Sequence, residues 1–279
     1  MAGKALAIRT LTAVVFAAVM VVGFIWPLAY AVLFSLISTA LCIEYFNLAI
    51  PAGKYAKERF CVILSVVSLF VLLFCTRQCG LRPSFVALAF LPAFLAMIYM
   101  LFDCTEKYNC DTALFFPLLY LAVPVSSSLW IAFDGNGPFN GMLLLAIFIL
   151  VWANDIGAYA YGMSFGQKEG SRKLFPSLSP KKSWIGAVGG VLTSMAVAVL
   201  ERWLLMPGTS LAHWLILAFT VSVAGIFGDL FESLLKRRAG VKDSGNMLPG
   251  HGGMLDRFDA ALFALPAAAA YIELTSFLQ

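Results

Sequence analysis

The 279-residue chain is 61% hydrophobic and 12% charged, with a mean hydropathy of +0.89, which excludes an ordinary soluble globular protein and a disordered one. Its formal net charge is +4, and no nucleic-acid partner is expected of it. The length accommodates roughly nine spans of about 20 residues with short loops. An all-α, polytopic integral membrane protein forming a single membrane domain over 1–279 is therefore expected.

In chain order, apolar runs at about 10–27, 29–49, 61–76, 84–102, 113–133, 141–161, 184–205, 210–232 and 257–277 predict nine transmembrane helices. Leu11 to Ile43 carries no charge, and as one helix it would extend roughly 50 Å, well beyond the ~30 Å hydrocarbon core. Pro27 marks the break and leaves a tight hairpin. Lys4 and Arg9 precede the first run as they would in a signal peptide, but no small-residue cleavage site followed by a hydrophilic region appears, so this run is expected to be a retained span.

Basic loops stay on the cytoplasmic side. With the N-terminus inside, 16 of the 19 Lys and Arg fall inside, leaving only Arg77, Arg82 and Arg202 outside. Nine spans then place the C-terminus outside, and the polar loops 162–183 and 233–256 face the cytoplasm. The short stretch before the first span suggests a bacterial inner (cytoplasmic) membrane. Lys54, Lys57 and Arg59 are read as topogenic. The two long loops combine cations with Gly, Ser, Pro and carboxylates, which orientation alone does not require.

A charged side chain near the bilayer centre costs at least a few kcal/mol and survives mainly where it faces a polar cavity. Asp155 shares a helical face with Tyr159 and Gly162 at i+4 and i+7. Asp229, Glu232, Ser233 and Lys236 fall at i, i+3, i+4 and i+7, one polar stripe suited to holding a metal ion and a phosphate together. The bland reading of that stripe is an internal ion pair of Asp229 or Glu232 with Lys236. Glu44, alone near a helix end, is read as a snorkelling or packing residue and left out of the site.

From Ser233 to Asp259 the chain packs five cations, three carboxylates, a histidine and five glycines into 27 residues. Such a constellation suits attack of one phosphate on another, where the nucleophile is already an anion and the obstacle is charge repulsion, which metals and cations remove. Mg²⁺ needs one or two carboxylates plus substrate phosphates, and Asp229 with Asp256 is the expected pair; a second cation such as K⁺ would fit the same site. In PGHGGMLDRFD, Pro249, Gly250, Gly252 and Gly253 permit tight turns and close approach to an anion, with the last helix starting near Leu255. Arg257 clamps a phosphate or pairs with Asp256 or Asp259. His251 touches a phosphate or orders the loop, and Asp259 is as suited to capping the helix as to touching substrate. The six cysteines and two histidines form no closely spaced ligand set, so zinc is not expected. Cys75 and Cys79 on neighbouring turns make a poor disulfide, Cys104 and Cys110 are expected to be reduced, His213 is read as a packing or lipid-facing group, and Trp26, Trp203 and Trp214 as an interfacial belt.

The run Ser233-x-Leu235-Lys236-Arg237-x4-Lys242-Asp243-x-Gly245-x2-Leu248-Pro249-x-His251-Gly252-Gly253-Met254-x-Asp256-Arg257-Phe258-Asp259 closely resembles the signature of CDP-diacylglycerol synthases, also called phosphatidate cytidylyltransferases. Two further blocks carry the resemblance: WANDIGAYAYG, with Asn154 and Asp155, and SPKKSWIGAVGG, with Ser179, Pro180, Lys181 and Lys182. Ile185 stands where that family usually has Glu. The resemblance implies a nine-helix enzyme that joins phosphatidic acid to CTP, releasing pyrophosphate and forming CDP-diacylglycerol, with the lipid entering from the bilayer and CTP from water. It implies Asp229 and Asp256 as metal ligands, and Ser233 and Lys236, with Arg257, beside the reacting phosphates. Arg237, Lys242, His251, Gly252 and Gly253 would face substrate phosphate, and Asn154, Asp155, Ser179, Lys181 and Lys182 the nucleotide. The motifs lie in 141–279, leaving 1–140 to packing, lipid access or dimerisation, so a homodimer is expected. A secondary transporter is the rival from another class, disfavoured because the polar residues cluster on one membrane side and no internal repeat is evident. A CTP-dependent polyprenol or phytol kinase, or a cytidylyltransferase of another lipid phosphate, is the rival among enzymes.

Overall fold

The computed structural model describes residues 2–102, 111–133, 137–168, 171–248, 250 and 252–275. The chain is helical almost throughout: α1 Ala2–Ile25, α2 Pro27–Ala49, α3 Ala56–Cys79, α4 Leu91–Phe102, α5 Asp111–Pro117, α6 Val123–Ala132, α7 Gly141–Ser164, α8 Trp184–Leu205, α9 Leu211–Arg238 and α10 Leu255–Thr275. Among the described residues eight helical segments are long and apolar enough to cross a bilayer, and Thr10–Ile25 forms a shorter apolar ninth. The expected all-α, multi-pass membrane protein is borne out. His251, Pro249, Cys104 and Cys110, named above for the loop and the thiols, lie outside the described residues.

Pro27 starts α2 one residue after α1 ends, with Trp26 in an extended conformation between them. Proline has no N–H to offer a preceding helix and is favoured in a first turn, so the long uncharged run folds into a hairpin. Two other apolar runs are less regular than their composition suggests. The fourth opens as a 3₁₀ segment, Pro83–Phe90, before α4. The fifth is interrupted by a π-helical turn, Leu118–Ala122, between α5 and α6. Pro117 and Pro124 flank that turn and remove two intrahelical donors, which is the physical cause of such a local widening.

The core is aromatic. Tyr30, Phe34, Phe70 and Phe148 are buried together, with Phe34 and Phe70 stacked at 5.9 Å, and the Tyr30 hydroxyl meets Ser128 Oγ at 2.5 Å. Trp26 and Trp203 are exposed on the outer surface of the bundle, as an interfacial belt requires. Trp214 is not: it is fully buried, its indole N–H donating to Thr209 Oγ1 at 2.7 Å, because a polar tip that finds an internal partner lets the ring be enclosed. His213 packs with its Nδ1 2.8 Å from the Tyr271 hydroxyl. Cys75 and Cys79 are free thiols.

The loop before α8 is more ordered than its composition suggests. β1 Lys173–Phe175 and β2 Ser179–Ser183 pair antiparallel, with Lys173 opposite Ser183 and Phe175 opposite Ser179. Ser183 ends β2 and caps α8, its Oγ accepting from Gly186 N at 3.1 Å. The hairpin thereby sets Lys181 and Lys182 immediately before the helix.

Candidate active site

The Asn154-Asp155 block lies on α7 and the Lys181-Lys182 block leads into α8, and glycines bring the two elements together. A Cβ at Gly190 would lie 2.7 Å from both the carbonyl and the side-chain oxygen of Asn154, and one at Gly186 would lie 2.9 Å from the Ala158 carbonyl. Backbones approach this closely only where no side chain intervenes. The α7 and α8 faces, the hairpin and α9 then enclose a cavity of about 550 Å³ lined by Asn154, Asp155, Lys181, Lys182 and Asp229, with Tyr159 and Gly162 on the Asp155 face as expected. Lys182 forms an ion pair with Asp229 across it, the two side chains 27% and 35% exposed. Ser179 is paired in β2 opposite Phe175 and is not among the cavity-lining residues.

The polar stripe of α9 continues past Asp229 toward its C-terminal end. Gly228 admits the backbone of α10, for a Cβ there would lie 2.3 Å from the Asp259 carbonyl oxygen. That approach brings the carboxylates of Asp229, Glu232 and Asp259 together, with one oxygen of each within 4.8 Å of the others. Glu232 is fully buried and its Oε1 has no hydrogen-bond partner. Three converging carboxylates, one with an unsatisfied buried oxygen, form a donor set that fits a hard divalent cation.

Asp256, expected to join Asp229 at the metal, is not a member of this group. Its Oδ1 accepts from Lys236 Nζ at 2.7 Å, and its Oδ2 accepts from Ser244 N at 3.0 Å, Ser244 Oγ at 2.9 Å and Gly253 N at 2.8 Å. Both oxygens are directed at the loop and at Lys236, which leaves Asp259, three residues on, to face Asp229. Lys236 also sits 2.5 Å from Glu232 Oε2, so the internal ion pair foreseen as the bland reading is present and is extended to Asp256. Ser233 is buried beside it.

The glycine loop is shaped from within. Gly252 has φ of +82°, a conformation that favours glycine, and its carbonyl accepts from Leu248 N at 2.9 Å. A Cβ on Gly253 would meet Ser244 Oγ at 2.1 Å and Glu44 Oε2 at 2.3 Å. These two glycines, expected to admit a substrate phosphate, make room for the protein's own carboxylates. Arg237, also expected at a phosphate, donates from Nε to the Leu178 carbonyl at 3.4 Å and from Nη1 to the Val241 carbonyl at 3.2 Å, tying the hairpin turn to the end of α9. Lys242 is exposed on the loop and Arg257 at the first turn of α10.

Glu44 is the residue sequence reasoning set aside. It is 4% exposed on α2, and its carboxylate accepts from Met254 N at 2.8 Å, Leu255 N at 2.8 Å and Ser244 Oγ at 3.1 Å. Its partners lie 200 or more positions away, so no local pattern signals it; its burial cost in a membrane helix was the only available hint.

The sequence pattern of the Cytidylyltransferase family matches residues 7–275. Among curated relatives, a phosphatidate cytidylyltransferase of Haemophilus influenzae is 43% identical over 136 residues, which is 47% of this chain and 46% of that protein. One from Rickettsia bellii is 32% identical over 220 residues, covering 75% of this chain and 90% of the relative, and one from Bacillus subtilis is 43% identical over 118 residues, 42% of each. The match spans about half the length of the Haemophilus relative and nearly all of the Rickettsia one. With the match running across both halves of the chain, the resemblance carried by its three motifs is borne out: the chain belongs to the Cytidylyltransferase family.

Proposed function

We propose that the protein is a membrane-embedded phosphatidate cytidylyltransferase, converting phosphatidic acid and CTP to CDP-diacylglycerol and pyrophosphate. The observation that carries this reading is the cavity lined by Asn154, Asp155, Lys181, Lys182 and Asp229, because it brings the charged and polar side chains of two motif blocks and of the α9 stripe to one volume. Lys181 and Lys182 neutralise the triphosphate, and Asn154 and Asp155 offer acceptors and donors to the nucleoside. The lipid phosphate oxygen attacks the α-phosphorus of CTP, a new phosphoanhydride bond forms, and the bond to the β-phosphate oxygen breaks to release pyrophosphate. An anionic phosphate needs no general base, so the protein's task is to hold two anions in line and offset their charge.

Asp229, Glu232 and Asp259 are the residues that would hold Mg²⁺, which supplies charge neutralisation at the phosphates when bound. Lys182, paired with Asp229, is the cation that a bound metal and nucleotide would draw away from that carboxylate. The 16-to-3 distribution of basic residues supports a cavity opening to the cytoplasm, on the side where CTP is found. The lipid phosphate, with its acyl chains in the bilayer, approaches from the membrane.

Purified protein incubated with CTP, Mg²⁺ and phosphatidic acid is expected to release pyrophosphate and yield a CMP-bearing lipid. Folded protein that binds CTP and makes no such lipid would sink this reading, and phosphorylation of a lipid alcohol would replace it with a CTP-dependent kinase.

A further inference from the structure

We propose that Glu44 is a positioning residue for the reaction, holding the start of α10 and Ser244 so that Asp256 and Lys236 stand at the correct depth beside the acidic group. The inference rests on the functional reading above.

The N-terminus of a helix presents unsatisfied N–H groups that attract an anion. In α10 two of them, Met254 N and Leu255 N, are taken at 2.8 Å by the two oxygens of Glu44, so the anion filling this end comes from α2 in the other half of the chain. Close packing around that carboxylate is strict: a Cβ at Gly245 would lie 2.8 Å from Oε1, and one at Gly253 would lie 2.3 Å from Oε2. The chain of contacts then runs inward. Ser244 Oγ lies 3.1 Å from Glu44 Oε2 and 2.9 Å from Asp256 Oδ2, so its single hydroxyl is shared between the two carboxylates. Asp256 holds Lys236 at 2.7 Å, Lys236 holds Glu232 at 2.5 Å, and Glu232 stands in the group with Asp229 and Asp259. Glu44 therefore lies outside the cavity lining and is connected to Asp229, which lines it, through Ser244, Asp256, Lys236 and Glu232.

A displacement of about 1 Å at a reacting group is enough to cost on the order of 100-fold in rate. Glu44→Gln keeps the size and one acceptor oxygen, but its amide N–H₂ faces groups that are themselves donors. The variant is expected to lower kcat about 100-fold while KM for CTP stays within about twofold, because the nucleotide cavity lies on the α7 and α8 side of α9. The number of CTP sites per folded molecule, titrated without lipid, is expected to remain that of the wild type. Ser244→Ala leaves both helix N–H contacts of Glu44 in place and removes only the hydroxyl that Glu44 and Asp256 share, the Ser244 N–H still donating to Asp256; its kcat is expected to fall about tenfold with KM unchanged. Wild-type kcat in Glu44→Gln overturns the proposal, as does a fall in kcat matched by an equal loss of CTP sites, which reports simple unfolding. Should Glu44→Gln fail to accumulate, Ser244→Ala with wild-type kcat overturns it alone. Amide exchange supplies a readout independent of turnover: faster exchange confined to 244–257 in Glu44→Gln is expected, and unchanged exchange there overturns the proposal. Wild-type protein that makes no lipid product sinks the functional reading, whereas the exchange result still decides this one.

Discussion

Two lysines pair with carboxylates of the same helix, and they differ in what surrounds them. Lys182 meets Asp229 in the cavity, with about a quarter to a third of each side chain exposed. Lys236 meets Glu232 and Asp256 with side-chain exposures of 13%, 0% and 10%. An open ion pair contributes about 0–1 kcal/mol, because water and ions replace either partner. A buried pair is costly to break, because removing one member strands the other in a medium of low polarity. On the proposed function the first pair would be the one exchanged for substrate phosphate and metal, its Asp229 partly exposed although the Lys182 ammonium itself is covered, and the second is a fixed part of the wall. Only seven positions of α9 separate Asp229 from Lys236, so the distinction arises from α10 and its loop covering one turn and leaving the other open.

Removing the buried cation breaks this comparison most forcefully. Lys236→Met strands the buried carboxyl groups of Glu232 and Asp256 without their shared cation, beside Asp229 and Asp259, and a loss of about 3–5 kcal/mol is expected. Thermal unfolding in detergent micelles reads it directly, together with loss of activity. Unfolding of this variant at the wild-type temperature would show that the carboxylates are already neutral or that water reaches them.

Asp229→Asn comes next, and its effect falls on the chemistry. The side chain keeps its size and lies at the open end of the stripe, so stability is expected to hold within about 0.5 kcal/mol. Turnover is expected to drop by about 100- to 1000-fold, the range typical for losing one group that offsets developing charge. Raising Mg²⁺ is expected to recover part of it. Near-normal kcat at ordinary Mg²⁺ would remove Asp229 from the metal set.

How much of this was legible in the sequence depended on the distance over which each residue acts. The spans followed from apolar runs and a proline, since a bilayer imposes a minimum length on any helix that crosses it. The Asp155 face and the α9 stripe followed from helical spacing, and both were found where 3.6 residues per turn put them. Asp256 and Asp259 were not separable that way. They sit in one helical turn, and which one meets Asp229 is decided by Gly228 letting the Asp259 backbone in and by Ser244 and Gly253 engaging Asp256. Glu44 was beyond reach because its contacts cross from α2 to α10, and the glycines that accommodate it look the same in sequence as glycines that cradle a phosphate. The β1–β2 hairpin was missed for a related reason: its strands carry Lys, Ser and Pro, and its order comes from Lys173 bonding back to the Gly166 carbonyl at 2.9 Å and Gln167 bonding the Lys181 carbonyl at 2.8 Å.

Lys182→Gln sharpens the comparison by having the smallest effect on stability. The open pair contributes little to folding, so the unfolding temperature is expected to match the wild type, with a difference under about 1 kcal/mol. On the proposed function its contribution would be to the nucleotide: losing one charge-assisted contact to a phosphate is expected to raise KM for CTP about tenfold, equivalent to about 1.4 kcal/mol, with kcat changed less. On that reading the wild-type KM for CTP is expected to rise with ionic strength, since charges are screened over about 10 Å at 0.1 M salt, and Lys182→Gln is expected to lose part of that sensitivity. A variant that instead unfolds readily while keeping its KM would reverse the assignment, making Lys182 a structural cation of the same kind as Lys236 and leaving Lys181 as the lysine that meets the triphosphate.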